Sequence, residues 1–172
     1  MLTTDQKGAI AETAVVHETV KLGIEVLKPV NDGSRYDLVF DLRNSFVRVQ
    51  CKWAPRHGDV IVVRCCSSRR APRGFVRRMY APSEIDAFAA YCPELDRCYF
   101  LPVSEFTGRV QVLLRLAQPR NHQQLGINWA TDYELAARLR LAQGAVAQLG
   151  ERRAGSAKAT GSSPVGSIDS VV

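Results

Sequence analysis

At 172 residues the chain has the length of one ordinary domain, enough to bury a core without disulfide or metal staples. Lys and Arg total 23 against 17 Asp and Glu, and the resulting net charge of +6 suits a phosphate-rich partner. Five cysteines (Cys51, Cys65, Cys66, Cys92, Cys98) form no C-x-x-C pair, and no apolar stretch reaches membrane-spanning length. The expectation is therefore a cytoplasmic protein with reduced thiols, neither secreted nor membrane-inserted and without a structural zinc site.

The first element is a helix. Thr4 reads as its cap, Asp5 lies in its opening turn, Lys21 lies near its end, and Gly23 stops it. Ile10, Ala14, Val15 and Leu22 give an apolar stripe near 3.6-residue spacing, with Glu12 beside it. Residues Ile24 to Val30 read as a strand, and Asn31-Asp32-Gly33-Ser34 as a turn.

From Arg35 to Trp53 the pattern changes to period two. Leu38, Phe40 and Leu42 alternate with Asp37, Val39 and Asp41. After the turn-forming Arg43-Asn44-Ser45, Phe46, Arg48, Gln50 and Lys52 alternate with Val47, Val49 and Cys51. This is a β-hairpin signal. Residues two apart on a strand share a face, so Gln50 and Lys52 point the same way, with Asp37 on the neighbouring strand. An acid oxygen, an amide oxygen and the Cys51 carbonyl suit a hard cation such as Mg²⁺, and an ammonium beside it suits charge stabilisation or activation of a water.

The segment Ala54 to Gly58 breaks the strand, and Asp59 to Cys65 resumes it. Ser67 to Tyr80 carries Arg69, Arg70, Arg73, Arg77 and Arg78 without clean periodicity and is predicted to be a mobile, DNA-contacting loop. A second helix is predicted from Ser83, with Asp86 in a shortened capping box, Ile85, Phe88 and Ala89 on its buried face, and Pro93 as its stop. Arg97 to Val103 and Arg109 to Leu116 read as strands, the latter as the last one. Asn121 and Gln123 sit in a polar stretch suited to bases or phosphates, and Asp132 to Leu141 reads as a final helix.

Glu12, then Asp37 at a strand start, then Gln50-Cys51-Lys52 on the next strand, resembles the PD-(D/E)xK nuclease superfamily. More narrowly it resembles the branch of group I intron homing endonucleases, in which glutamine can replace the acid of the final motif. Gly33-Ser34-Arg35-Tyr36, Tyr80, and the stretches Glu84 to Tyr91 and Asn121-His122-Gln123 add to that likeness, which covers residues 5 to 140.

The resemblance implies an α/β fold with a restriction-endonuclease-like core: helix, three-stranded antiparallel hairpin sheet, helix and further strand, then an additional strand and a C-terminal helix. It implies a metal-dependent endonuclease of double-stranded DNA, with Glu12, Asp37, Gln50 and Lys52 as site residues. Asp37, Gln50, Glu12 and the Cys51 carbonyl would hold Mg²⁺ or Mn²⁺. A symmetric dimer or tetramer is expected by the same analogy. Two readings stay open beside it: a Holliday-junction or repair nuclease, and a catalytically inactive DNA-binding module.

Residues 144–172 are expected to form a separate disordered tail after a nuclease domain spanning 1–143, because their composition turns to Gly, Ala, Ser and charged residues. The words A-V-A-Q-L-G-E-R and G-S-S-P-V resemble the accidental translation of a tRNA gene, which suggests that the reading frame abuts or overlaps one.

Overall fold

The computed structural model of the chain describes residues 1–31, 33–72, 74–118 and 125–143. Asp32, Arg73, Asn121, Gln123 and the tail 144–172 lie outside the described residues.

Helix α1 spans Thr4–Lys21 and is capped by Thr3, one residue earlier than the sequence suggests. The Gln6 N–H donates to the Thr3 hydroxyl at 3.2 Å and the Thr3 N–H donates to Gln6 Oε1 at 2.9 Å, which satisfies two of the orphan donors at the helix start. Gly23, at φ +72°, takes the left-handed conformation that ends the helix, as predicted. The buried stripe is Ala11, Val15 and Thr19, whereas Ile10, expected in it, stays 38% exposed. Thr19 is accommodated because its hydroxyl donates to the Val15 carbonyl at 2.8 Å.

The strands in chain order are β1 (Glu25–Leu27), β2 (Leu38–Asp41), β3 (Phe46–Trp53), β4 (Arg56–His57), β5 (Val60–Arg64), β6 (Cys66–Ala71), β7 (Gly74–Met79), β8 (Ala87–Cys92), β9 (Arg97–Pro102), β10 (Gln111–Arg115) and β11 (Asn128–Trp129). A five-stranded sheet has the order β1-β2-β3-β8-β9, a four-stranded sheet the order β11-β10-β5-β4, and β6 and β7 pair as a separate ribbon. The β2–β3 hairpin forms as predicted. Its turn places Arg43 at φ 71°, and the Leu42 N–H donates to the Ser45 carbonyl at 3.0 Å.

Three expectations are corrected. The predicted helix from Ser83 to Pro93 is a turn followed by β8, the strand that pairs parallel to β3 with Gln50 opposite Phe88 and Lys52 opposite Ala90. The sequence Ala-Phe-Ala-Ala has helical propensity, but a central strand buried on both faces shows no alternation, and tertiary burial overrides propensity. Asp86 caps no helix: it receives hydrogen bonds from the Arg48 backbone and guanidinium. The predicted loop 67–80 is the β6–β7 ribbon, whose runs of consecutive Ser and Arg in the sequence hide its period. The strand Arg109 to Leu116 is not the last, since β11 follows and pairs parallel to β10.

The five-stranded sheet buries both faces. Val15, Leu38, Phe40, Val49, Ala89, Leu135 and Leu139 form one core cluster, between the sheet and the helices α1 and α2, the latter over 135–143. Phe88, Ala90 and Leu101 pack on the other face against Ile61, Val63 and Leu114 of the four-stranded sheet. The parallel β3–β8 pair therefore lies under both layers, and the whole segment 54–86 is the crossover that such a pair needs.

Native-state hydrogen exchange tests the replacement of the helix by a strand. The amides of β8 are expected among the slowest in the chain and those of the β6–β7 ribbon orders of magnitude faster, with Phe88→Ala costing about 3–5 kcal/mol in denaturant unfolding. Fast exchange across 87–92 would contradict the topology.

Candidate active site

The antiparallel register of β2 and β3 pairs Leu38 with Val49. Asp37 directly precedes β2, and its N–H donates to the Val49 carbonyl at 2.9 Å, which holds it beside β3 near Gln50. Leu38, Val49 and Cys51 face the helix layer, so Gln50 and Lys52 emerge on the opposite face by alternation, and Asp37 lies at the strand end between the two layers, where the charges of Glu12 and Lys52 both act on it. A one-residue slip would reverse every one of these side chains, which is why the buried Leu38 and Phe40, both 0% exposed, also fix the site.

The carboxylate oxygen Asp37 Oδ2 accepts the Cys51 N–H at 2.7 Å and the side-chain amide of Gln50. That amide also lies 3.4 Å from the Cys51 carbonyl oxygen. Asp37, Gln50 and the Cys51 carbonyl thus converge. The Cys51 thiol points into the core, where burial holds it well above the ordinary thiol range and keeps it protonated.

Glu12, on α1, acts on the group through its charge. Its carboxylate is a third exposed and is paired with Lys28 at 3.0 Å, and its charge acts on both Asp37 and Cys51. Burial raises the Asp37 carboxyl above its usual 3.8; the Cys51 N–H opposes that, Glu12 adds to it, and Lys52 and Lys28 reduce it. Among the described residues no three His, Cys, Asp or Glu side chains gather at one point. The oxygens that could hold a hard cation here are those of Asp37, the Gln50 amide and the Cys51 carbonyl, with the Glu12 carboxylate acting from α1.

Lys52 donates to the Tyr80 hydroxyl at 3.2 Å, and its Nζ lies 4.8 Å from the centre of that ring. Tyr80 is also covered by Arg35, whose guanidinium carbon lies 4.0 Å from the ring centre. The sequence marks Arg35 and Tyr80 only as part of the family likeness, and assigns no contact to them or to Lys28. Their partners lie 16 to 44 residues away, and no local pattern records such distances.

Of the arginines expected to meet DNA, Arg77 and Arg78 lie on β7 and are exposed. Arg78 pairs with Glu84, whose carboxyl is held below its usual range by the Ala81 N–H, with Arg35 and Arg78 adding to the effect. Arg69 and Arg70 stand in β6 at the register of Val76 and Phe75.

Three comparisons bear on the site. A family model described as PD-(D/E)XK endonuclease matches residues 2–136. Among solved structures, a bacterial homing endonuclease, I-Ssp6803I, matches with a TM-score of 0.68 at 30% sequence identity, over 84% of this chain and 97% of that one. A search of curated proteins returned no significant match.

The raised Asp37 carboxyl yields a signed expectation. A group whose folded pKa lies above its unfolded value favours the fold while protonated, so its contribution falls as pH rises from near 3.8 through the folded value, and a cost persists at neutral pH. Asp37→Asn should therefore melt higher than wild type at pH 7 without metal, with the gap closing at low pH, while cleavage falls at least about 10²-fold. A variant that melts lower than wild type at pH 7 would contradict the burial cost.

Proposed function

The chain belongs to the PD-(D/E)XK endonuclease family, and on that footing we propose that it is a homing endonuclease of a group I intron that cuts double-stranded DNA with Mg²⁺ or Mn²⁺. Nucleases of this family use divalent metal ions. The observation that carries the reading is the convergence of Asp37, Gln50 and the Cys51 backbone, with Lys52 and Glu12 close enough for their charges to act on Asp37. The solved homing endonuclease, matched over nearly its whole length, supports the narrower assignment.

Asp37, Glu12, the Cys51 carbonyl and the Gln50 amide oxygen are the proposed ligands. Gln50 now donates its amide nitrogen to Asp37, so a half-turn of that amide presents the oxygen instead. The ion would supply Lewis-acid polarisation of the scissile phosphate and a water of lowered pKa. The residues supply the rest. Asp37 and Glu12 offer negative charge held in a partly desolvated place, which a divalent cation relieves. Lys52 places a proton donor beside the phosphate, to orient the attacking water and to offset charge on the phosphoryl oxygens as the transition state forms.

The β6–β7 ribbon is the proposed DNA arm. A two-stranded ribbon fits the major groove, and the exposed Arg77 and Arg78 suit phosphates or guanine edges. Arg69, Arg70, Arg73, Asn121 and Gln123 remain in the proposed DNA-contacting set on sequence grounds. A symmetric dimer or tetramer is proposed by analogy with long, near-palindromic targets. Five free, buried cysteines are compatible with a cytoplasmic location, and no helix among the described residues is long and apolar enough to cross a membrane.

Cleavage of DNA carrying the intronless tRNA locus of the host tests the proposal. Wild type should cut one long site in the presence of Mg²⁺ and not in EDTA, and Asp37→Ala and Lys52→Ala should each lose more than about 10²-fold. Preference for four-way junctions would replace the homing assignment, and binding without cleavage under any divalent ion would overturn the nuclease one.

Arg77→Ala combined with Arg78→Ala should weaken binding across all DNA sequences and reduce the slope of log K against log salt by about 1 for each lost phosphate contact. An unchanged slope would remove the ribbon from the interface.

A further inference from the structure

We propose that Tyr80 is the positioning residue for Lys52, and that Arg35 ties it to the base of the β6–β7 ribbon, so that the DNA arm and the active-site lysine form one mechanical unit. The proposal rests on the nuclease reading for what Lys52 does, and on geometry alone for how it is held.

A lysine has four rotatable bonds and a compact charge, so nothing in its own chemistry aims it. Here the aim comes from Tyr80, which is 8% exposed. Its hydroxyl accepts from Lys52 Nζ at 3.2 Å, while the same nitrogen lies 4.8 Å from the ring centre. One side chain thus restrains the ammonium in two ways, through a charge-assisted hydrogen bond and through the ring. The ring is itself fixed: Phe88 of the central strand β8 meets it edge-on, with centres 5.4 Å apart and planes at 85°. Phe88 lies opposite Gln50 in the β3–β8 register, so the brace for Tyr80 grows from the same strand pair as the site.

Arg35 closes the unit from the other direction. Its guanidinium carbon lies 4.0 Å from the Tyr80 ring centre, and it donates to the Ser67 hydroxyl at 3.2 Å and to the Met79 carbonyl at 2.9 Å. Ser67 and Met79 belong to the two strands of the ribbon at its base, where Cys66 pairs with Met79 and Ser67 with Arg78. Arg35 Nε lies 3.2 Å from Glu84 Oε1, the oxygen that also pairs with Arg78 on the ribbon. Arg35 precedes Asp37 by two residues, so one short segment carries both the proposed metal ligand and the anchor of the arm. A displacement of the ribbon on DNA therefore acts on the contacts that hold Tyr80, and through Tyr80 on Lys52.

Tyr80→Phe keeps the ring and removes the hydroxyl, and Tyr80→Leu removes both restraints. Single-turnover cleavage at saturating Mg²⁺ and DNA, with DNA affinity measured separately in Ca²⁺, should show Tyr80→Phe about ten-fold slower and Tyr80→Leu about a hundred-fold slower, both with wild-type affinity. Cleavage by Tyr80→Phe at the wild-type rate, or an equal loss in rate and affinity, would overturn the positioning role. A second measurement needs no catalysis. In wild type, nuclear Overhauser contacts are expected between the Lys52 ε protons and the Tyr80 ring protons, and between the Arg35 δ protons and the same ring. Their absence would overturn the proposal even if the enzyme cuts. Their presence in a protein that cuts nothing would uphold the geometry while the nuclease reading fails.

Discussion

One carboxylate oxygen holds the site together. Asp37 Oδ2 receives the Gln50 amide and the Cys51 N–H, so a side chain at the edge of β2 is fixed to two consecutive residues of β3. Those bonds do not make burial of the charge favourable: desolvation still dominates, and the acid stays above its usual range. The molecule thus retains a carboxylate that folding disfavours, next to a second acid on α1, a spending of stability on function that is common where a cation is later to be bound.

The rest of the fold keeps that oxygen in place. Leu38, Phe40 and Val49 are each fully buried and set the hairpin register from the helix side, while β8 locks β3 from the other edge. The Arg48–Asp86 connection, with Arg48 also donating to the Ser83 carbonyl at 2.5 Å, pins the turn that leads into β8. Both charged partners are about a third exposed, so their worth lies more in fixing the turn than in net stability. From that strand Phe88 braces Tyr80, and Tyr80 meets Lys52. The acid side and the lysine side of the site therefore depend on one central strand pair.

How much of this was legible in the sequence differs from element to element. The capped helix, the β2–β3 hairpin and the nearness of Asp37 to Gln50 were readable, because period and turn chemistry are local and Asp37 needs only to lie one strand away, whereas Glu12 entered the candidate site only through the family resemblance. The strand at Ala87–Cys92 was hidden by its own burial, since small and apolar residues on both faces leave no alternation to read. The β6–β7 ribbon was hidden for the opposite reason, with polar side chains along both strands. Arg35 and Tyr80 stood out only as part of the family likeness, and their contacts, like that of Lys28, were not legible because each acts across a separation that only tertiary structure closes.

The central claim is that these residues define one ion-sized place on the β2–β3 edge. Anomalous diffraction from crystals soaked in Mn²⁺ tests it most directly. A single strong peak is expected about 2.1–2.3 Å from an Asp37 carboxylate oxygen and from the Cys51 carbonyl, with the Gln50 amide oxygen turned toward it. A peak on another face of the molecule, or none at a saturating concentration of the ion, would contradict the account.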